Sequence, residues 1–238
     1  MAVVSDMRAI VAALTISAAL SIAPARAVQQ QDTSALLPYA GSISTSLPRR
    51  EVLDLALQAY RCGRTLGYIE RPLLTVIDYS LPSTARRLWV IDVERNAVLF
   101  HERVAHGQNS GEDRAVAFSN RSGSNQSSLG LFRTEDTYMG HHGLALHLAG
   151  LEPGINDRAR ERQIVMHGAD YVSDDFIAAH GRLGRSWGCP AVAVEISARV
   201  IDQIRDGSAL FAYYPDPAWL RSSRFLRCDT ADGKLLNY

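Results

Sequence analysis

The chain has little lysine, little cysteine, no excess of either charge and only one long apolar run. Each shortage excludes something. Lys234 is the sole lysine among 25 basic residues, which 25 acidic residues balance. A balanced charge gives no electrostatic ground for binding nucleic acid or an anionic membrane surface, so no nucleic-acid partner is expected. Arginine suits carboxylate recognition, but a GC-rich coding sequence accounts for the bias more simply. Metal-ligand spacing is also missing, with no His-Glu-x-x-His helix and no paired-cysteine pattern. His141, His142 and His147 are close in sequence, yet the odd spacing of the last two puts them on opposite faces of a strand. Neither a metal nor a cofactor is expected. Repeats, low-complexity tracts and a βαβ alternation are absent as well, which removes solenoids and doubly wound folds.

The apolar run lies at the N-terminus. Arg8 precedes a charge-free stretch from Ala9 to Ala23, followed by Pro24 and Ala25-Arg26-Ala27. A basic start, a short apolar centre and an A-x-A end read as a secretory signal peptide over residues 1–27. Asp6 dilutes the basic start, and initiation at Met7 would remove it. The run is short for a hydrocarbon core of about 30 Å, and no later segment is apolar enough to span. The expected product is exported to the periplasm or cell envelope, has no stable membrane insertion after signal cleavage, and is a monomer.

Export changes how the cysteines read. An oxidising compartment favours pairing, and three cysteines, Cys62, Cys189 and Cys228, leave one thiol over. If Cys189 is the working thiol, Cys62 and Cys228 are a possible disulfide tying an N-terminal helix to the C-terminal tail. Two buried free thiols are the alternative, because sequence does not show whether the Cα atoms come within roughly 7 Å.

With 47% hydrophobic and 21% charged residues, the 238-residue chain can fill one core and an accessory segment. Residues 28–47 are polar and aperiodic and read as a mobile linker. Over residues 48–66, Val52, Leu55, Ala56, Ala59 and Tyr60 recur at helical spacing, and the pattern runs out at Gly63. This helix is expected to pack on a catalytic domain that occupies residues 67–238, C-terminal tail included. There, short β-branched and aromatic runs near 73–79, 88–93, 98–104, 129–134, 144–148, 163–167 and 210–214 read as strands. A helix fits 194–205, where Ile196, Val200, Ile201 and Ile204 share a face before Gly207. Residues 106–128, rich in Gly, Ser and Asn, form a long loop of the kind that is usually functional or mobile. The expected class is mainly β (α+β): a sandwich or barrel with a few peripheral helices.

Two stretches carry the chemistry. Ile164-Val165-Met166-His167-Gly168 ends a buried strand on a histidine, and Gly184-Arg185-Ser186-Trp187-Gly188-Cys189-Pro190 places a cysteine ahead of a proline. A thiol attacks as thiolate and needs a base or a positive field beside it; His167 is the candidate base and Cys189 the candidate nucleophile. The Gly168 carbonyl could orient the imidazole. Gly188 and Cys189 could offer backbone N–H groups to a developing oxyanion, Pro190 biases Cys189 toward extended geometry, and Ser186 could brace the turn. Singly, such a Cys and His are more often core residues; their combination and the unpaired thiol reverse that weighing.

His167-Gly168 followed by Ser186-Trp187-Gly188-Cys189 resembles the signature of the YkuD-type L,D-transpeptidases: His-Gly, a variable loop, then Ser-His-Gly-Cys. The resemblance to their murein L,D-transpeptidase catalytic domain branch extends over roughly residues 70–215. It is carried by His106-Gly107-Gln108-Asn109-Ser110-Gly111, Phe118-Ser119-Asn120, Ser127-Ser128-Leu129-Gly130, Gly150-Leu151-Glu152 and Asn156-Asp157. It implies a β-sandwich catalytic domain that acts on peptidoglycan stem peptides, in which the cysteine attacks the carbonyl of an L-centre. That centre is diaminopimelate at stem position three in the family. A thioester forms, D-Ala leaves, and an amine of a neighbouring stem resolves the acyl-enzyme into a cross-link. Two departures stand out: Trp187 occupies the place of the second histidine, and Ala191 that of an arginine or asparagine. Arg185 could then take over substrate-carboxylate binding, and Trp187, Tyr138 and His106 could line the groove. Two alternatives stay open. One is an L,D-carboxypeptidase or cysteine peptidase, with water resolving the thioester; the other is a non-catalytic murein-binding module.

Overall fold

The computed structural model of the protein describes residues 47–228. The expected signal peptide, the linker apart from Leu47 and the tail beyond Cys228 lie outside the described residues. The rest is organised around one sheet. Its strands are β1 (Leu73–Asp78), β2 (Leu88–Asp92), β3 (Ala97–Glu102), β4 (Gly130–Gly140), β5 (Gly143–Gly150), β6 (Val165–Gly168), β7 (Ala191–Val192) and β8 (Ala209–Tyr213). They lie in the order β3-β2-β1-β8-β4-β5-β6-β7. The pairs β1–β8 and β6–β7 are parallel and the others antiparallel. Just past β3, the Ala105 N–H donates to Ala191 O of β7 at 2.8 Å. The two edges of the sheet therefore meet, and the sheet rolls into a near-barrel with few exposed edge groups. The mainly β architecture expected from the strand pattern takes this single-sheet form.

Strands β1, β2 and β8 are buried at every position. Both their faces are covered, which is why they read as continuous apolar runs rather than alternating ones. The cover includes α1 (Arg50–Thr65), which packs on β1 and β8 and buries Val52, Leu53, Ala56, Leu57, Ala59 and Tyr60. The helix continues through Gly63 because that glycine is a packing point: a Cβ there would sit 2.8 Å from Ile69 Cγ1. One residue earlier Cys62 forms a disulfide with Cys228, with Cα atoms 5.3 Å apart. The bond ties α1 to α5 (Arg224–Arg227), as the pairing alternative anticipated.

The strand pattern foresaw the inner half of β4 and missed its outer half. Beyond a bulge at Thr134/Thr137 the strand continues to Gly140 and turns at His141-His142 into β5. This outer half is exposed and polar, so no burial pattern marks it. Strand β6 begins two residues later than expected because Gln163 adopts φ +55° and turns the chain. Three short helices, α2 (Asp174–His180), α4 (Pro217–Ser222) and α5, are additions; α3 is the expected helix, Val194–Ile204. Their caps were nonetheless written in the sequence. Ser173, Asp216 and Ser223 each accept an N–H three residues on, and Pro217 occupies a first-turn position.

Loop 106–128 has only one short 3-10 turn, Gln108–Ser110, and hydrogen bonds hold the rest. The Ser127 N–H donates to Ser110 Oγ (2.9 Å), and the Asn109 N–H to Asn125 O (3.2 Å). At its end stands a buried polar hub. Glu152 accepts the Leu131 N–H (2.8 Å) and the Trp219 indole N–H (3.3 Å), while Asn156 donates to Leu129 O (2.9 Å) and Leu131 O (3.0 Å). Gly130, at φ +99°, is required here, since a Cβ would meet Glu152 Oε1 at 2.5 Å. The sequence segments 127–130, 150–152 and 156–157 thus converge on one structural joint. It fixes where the long loop enters the sheet.

Candidate active site

Strand β6 presents His167. The registers run Tyr138–Ala145 between β4 and β5, Ala145–His167 between β5 and β6, and His167–Ala191 between β6 and β7. Residues directly opposite one another share a sheet face, so Tyr138, His167 and Ala191 lie in one row. Met166 and Leu146 point the other way, into the main core. On that far side α3 presses against Gly168, whose Cβ would sit 2.7 Å from Ser197 Oγ. What Gly168 admits is a helix.

His167 is 5% exposed. Its Nδ1 lies 2.9 Å from Gly168 O; a carbonyl can only accept, so Nδ1 carries the proton and Nε2 is left as the acceptor. The carbonyl therefore does the orienting expected of it. The second ring contact is a stack with His142 from the β4–β5 turn, at 4.7 Å and 24°. Burial lowers the His167 pKa, the Gly168 carbonyl partly opposes this, and His142 lowers it further. The resting imidazole is neutral.

Cys189 arrives on a turn that glycine alone can make. Gly188 has φ +122°, and a Cβ on it would meet Gln126 O at 2.8 Å and Ile164 Cδ1 at 3.0 Å. Ser186 ties the turn shut: its Oγ donates to Cys189 O (2.6 Å) and accepts the Gly188 N–H (3.1 Å). From outside, the Ser127 hydroxyl donates to Gly188 O (3.2 Å), and the Ser186 backbone pairs with His106 and Gln108. The half-buried Cys189 is the free thiol. Its sulfur accepts the Val165 N–H at 3.4 Å and points its own proton at Gln163 O, 3.6 Å away. Burial raises the thiol's pKa, and the Val165 N–H and the Arg162 charge oppose that rise. The fold thus sets the sulfur beside Val165, two residues before His167 on the same strand. Among the described residues no hydrogen bond joins thiol to imidazole.

Three expectations need correction. Gly188 cannot serve as an oxyanion donor, because Ser186 Oγ already takes its N–H; the Cys189 N–H donates to nothing among the described residues and is the available group. Arg185 does not stand free for a substrate carboxylate. Its Nη1 is committed to Gln108 O, Gly111 O and the Glu112 carboxylate (2.7 Å), so it braces the loop. His106 does not line a groove: it is wholly buried, accepting from Arg87 Nη2 at 2.8 Å and donating toward Gly111 O at 3.3 Å. Trp187 and Tyr138 do lie open, 75% and 41% exposed, the first two residues from the thiol and the second stacked on His147.

Sequence reasoning passed over Arg162, Tyr171 and the role of His142. Tyr171 packs against Gly184, and its phenol pKa is pushed far up by burial first and then by nearby Cys189 and Asp170. Its position four residues beyond His167 was the one available hint. Arg162 and His142 come from elements with no motif of their own. Ala191 is wholly buried with Ala105, Ala169 and Leu183, so the position two past the cysteine has no room for a large polar side chain.

Fold and site together define a mainly β domain carrying a buried, carbonyl-oriented histidine on β6 and a free cysteine on the turn that leads into β7. The model of the L,D-transpeptidase catalytic domain family matches residues 45–213, and the chain belongs to that family. No curated protein matches it. Among solved structures, it is similar to an L,D-transpeptidase from Mycobacterium smegmatis at 13% identity, over 60% of this chain and 59% of that one, with a TM-score of 0.38. A second is the helical cell shape determining protein Pgp2 from Campylobacter jejuni, at 11% identity over 68% and 56% of the two chains, TM-score 0.42. A third is an L,D-transpeptidase from Stackebrandtia nassauensis, at 13% identity over 69% and 67%, TM-score 0.36. The chain spans about three fifths of the length of the first of these.

Proposed function

We propose that the protein is an exported cysteine acyltransferase that remodels peptidoglycan, an L,D-transpeptidase acting on murein stem peptides. The observation that carries this reading is the free Cys189 thiol, held by a glycine-dependent turn beside the strand that carries a neutral, Gly168-oriented His167. In the first step His167 Nε2 takes the thiol proton, and the sulfur attacks the acyl carbon of an L-centre in the stem. The Cys189 N–H faces the developing oxyanion. The C–N bond then breaks, His167 returns the proton to the leaving amine, and a thioester remains. An acceptor amine, losing its proton to His167, attacks the thioester and releases Cys189 as a thiol. Apo contacts of this kind often tighten only when substrate is bound, and here Sγ must turn away from Gln163 O to meet Nε2. Trp187 and Tyr138 offer aromatic faces at the rim. The Cys62–Cys228 disulfide supports an oxidising compartment, as does the signal peptide read at residues 1–27.

Incubation of the mature protein with purified muropeptides tests this. Mass spectrometry should find a covalent adduct on Cys189 and none on Cys189→Ala, and cross-linked dimers should accumulate. Trimmed monomers alone would assign the site to L,D-carboxypeptidase chemistry. Sacculus binding without any adduct would make it a murein-binding module.

A further inference from the structure

Arg162 stands in the turn before β6 and has no carboxylate partner among the described residues. Its guanidinium is gripped by neutral oxygens instead. Nη1 donates to Ser119 O and Ser128 Oγ, both at 2.6 Å, and Nη2 to Gln126 O at 2.6 Å and Ser124 Oγ at 3.3 Å. Four of its five N–H donors are therefore occupied by loop 106–128 and the residue at its end, none of which neutralises its charge. Its neighbours Arg158 and Glu161 pair with each other (2.7 Å) and leave it out. The location is specific: Nη2 lies 3.3 Å from the point where a Cβ on Gly188 would be, against the residue that precedes Cys189. The main chain just after Arg162 supplies the sulfur's hydrogen-bond partners, Gln163 O in the turn and the Val165 N–H at the start of β6.

The groups facing the thiol are otherwise neutral. The Tyr79 and Tyr171 phenols, both raised chiefly by burial, and the neutral His167 carry no positive charge to it; Asp170 bears on Tyr171. A half-buried guanidinium held among neutral oxygens gives up hydration without the return of an ion pair. That arrangement is reasonable where a negative charge appears nearby during function. Proton transfer from Cys189 to His167 creates such a charge: the sulfur keeps the electron pair and Nε2 gains the proton.

We propose that Arg162 is a positioning residue that stabilises the Cys189 thiolate through its field, supplying from the turn before β6 a positive charge that the cysteine turn lacks. The inference rests on the reading of Cys189 as nucleophile. Its side chain acts at a distance and is already tied to the loop, so it sets the reactivity of the thiol and does not clamp substrate.

Alkylation tests this without any peptidoglycan, because with the disulfide intact Cys189 is the free thiol of the protein. Iodoacetamide labelling of the mature protein would be followed against pH for wild type, Arg162→Gln and Arg162→Lys. Arg162→Gln should slow labelling near pH 7.5 about tenfold, equivalent to about one pKa unit, and Arg162→Lys should recover most of the rate. In wild type, anionic iodoacetate should gain several-fold over iodoacetamide relative to the same ratio on glutathione. An unchanged profile in Arg162→Gln would overturn the proposal, as would a folded Arg162→Lys as slow as the glutamine variant. If Arg162→Gln does not fold, the iodoacetate ratio of wild type decides: no excess over glutathione refutes the proposal. A muropeptide experiment without an adduct, beside a shifted alkylation profile, would remove the acyltransferase reading and leave the role of Arg162 standing.

Discussion

At the scale of single residues, the site is a neutral thiol and a neutral imidazole brought near each other by main-chain constraints. No acidic residue orients His167; the carbonyl of its own neighbour does. No second imidazole follows the serine of the cysteine turn, where Trp187 stands, but a second imidazole reaches the site in space, His142 stacked on His167. A protonated His167 cannot accept the thiol proton, so the proposed activity should be lost as pH falls through its pKa. Burial, and then His142, hold that pKa below the ordinary value. The acidic limb of kcat/KM should therefore lie below about pH 6.5, and His142→Ala should move it upward. His167→Ala should cost about 10²–10⁴ in rate, the usual contribution of a general base. Steady-state cross-linking across pH measures both, and a near wild-type rate for His167→Ala would remove it from the mechanism.

At the scale of elements, loop 106–128 and the cysteine turn behave as one unit, since His106, Gln108 and Ser127 all bond to residues 186–188. His106 is the unit's buried pin. Burial, and then the charge of Arg87, lower its pKa to about 4. Between that value and the ordinary one of about 6.5 the unfolded chain binds the proton and the folded chain does not, so stability falls as pH falls through this window. The shift corresponds to about 3 kcal/mol at most. Urea titrations from pH 7 to 4 should show this loss in wild type and a flatter profile in His106→Asn; parallel profiles would exclude it. Sequence reading identified both ends of this unit, because glycine, a lone thiol and the Ser-Trp-Gly-Cys spacing announce a constrained turn. It mistook the internal brace His106 for a groove residue, and Arg185 likewise. The hydrogen bonds that hold them join residues 106–112 to Arg87 and to the cysteine turn, far apart in sequence, and leave no periodic trace. The outer half of β4, β7 and α2 escaped for a related reason: they are short or exposed and bury no regular stripe.

At the scale of the whole molecule, the sheet closes through Ala105 and Ala191, while the disulfide closes the other end of the fold by joining α1 to the residue after α5. The two closures are separate. Helix α1 packs on β1 and β8, whereas Cys189 and His167 belong with β6 and β7 at the far end of the strand order. Cys62 and Cys228 are 166 positions apart, so breaking their bond frees a long loop in the unfolded chain. A loss of about 2–5 kcal/mol is expected. At roughly 2–4 °C per kcal/mol for a domain of this size, Tm should drop by about 4–20 °C in the Cys62→Ala, Cys228→Ala double variant. Below that transition, the reactivity of Cys189 toward iodoacetamide should stay within about twofold of wild type, because the hydrogen bonds that hold its turn come from Ser186, Ser127 and Val165, none of which belongs to α1 or α5. Calorimetry and thiol labelling of the same samples separate the two effects. A labelling rate that collapsed in the folded double variant would show that the N-terminal helix governs the site.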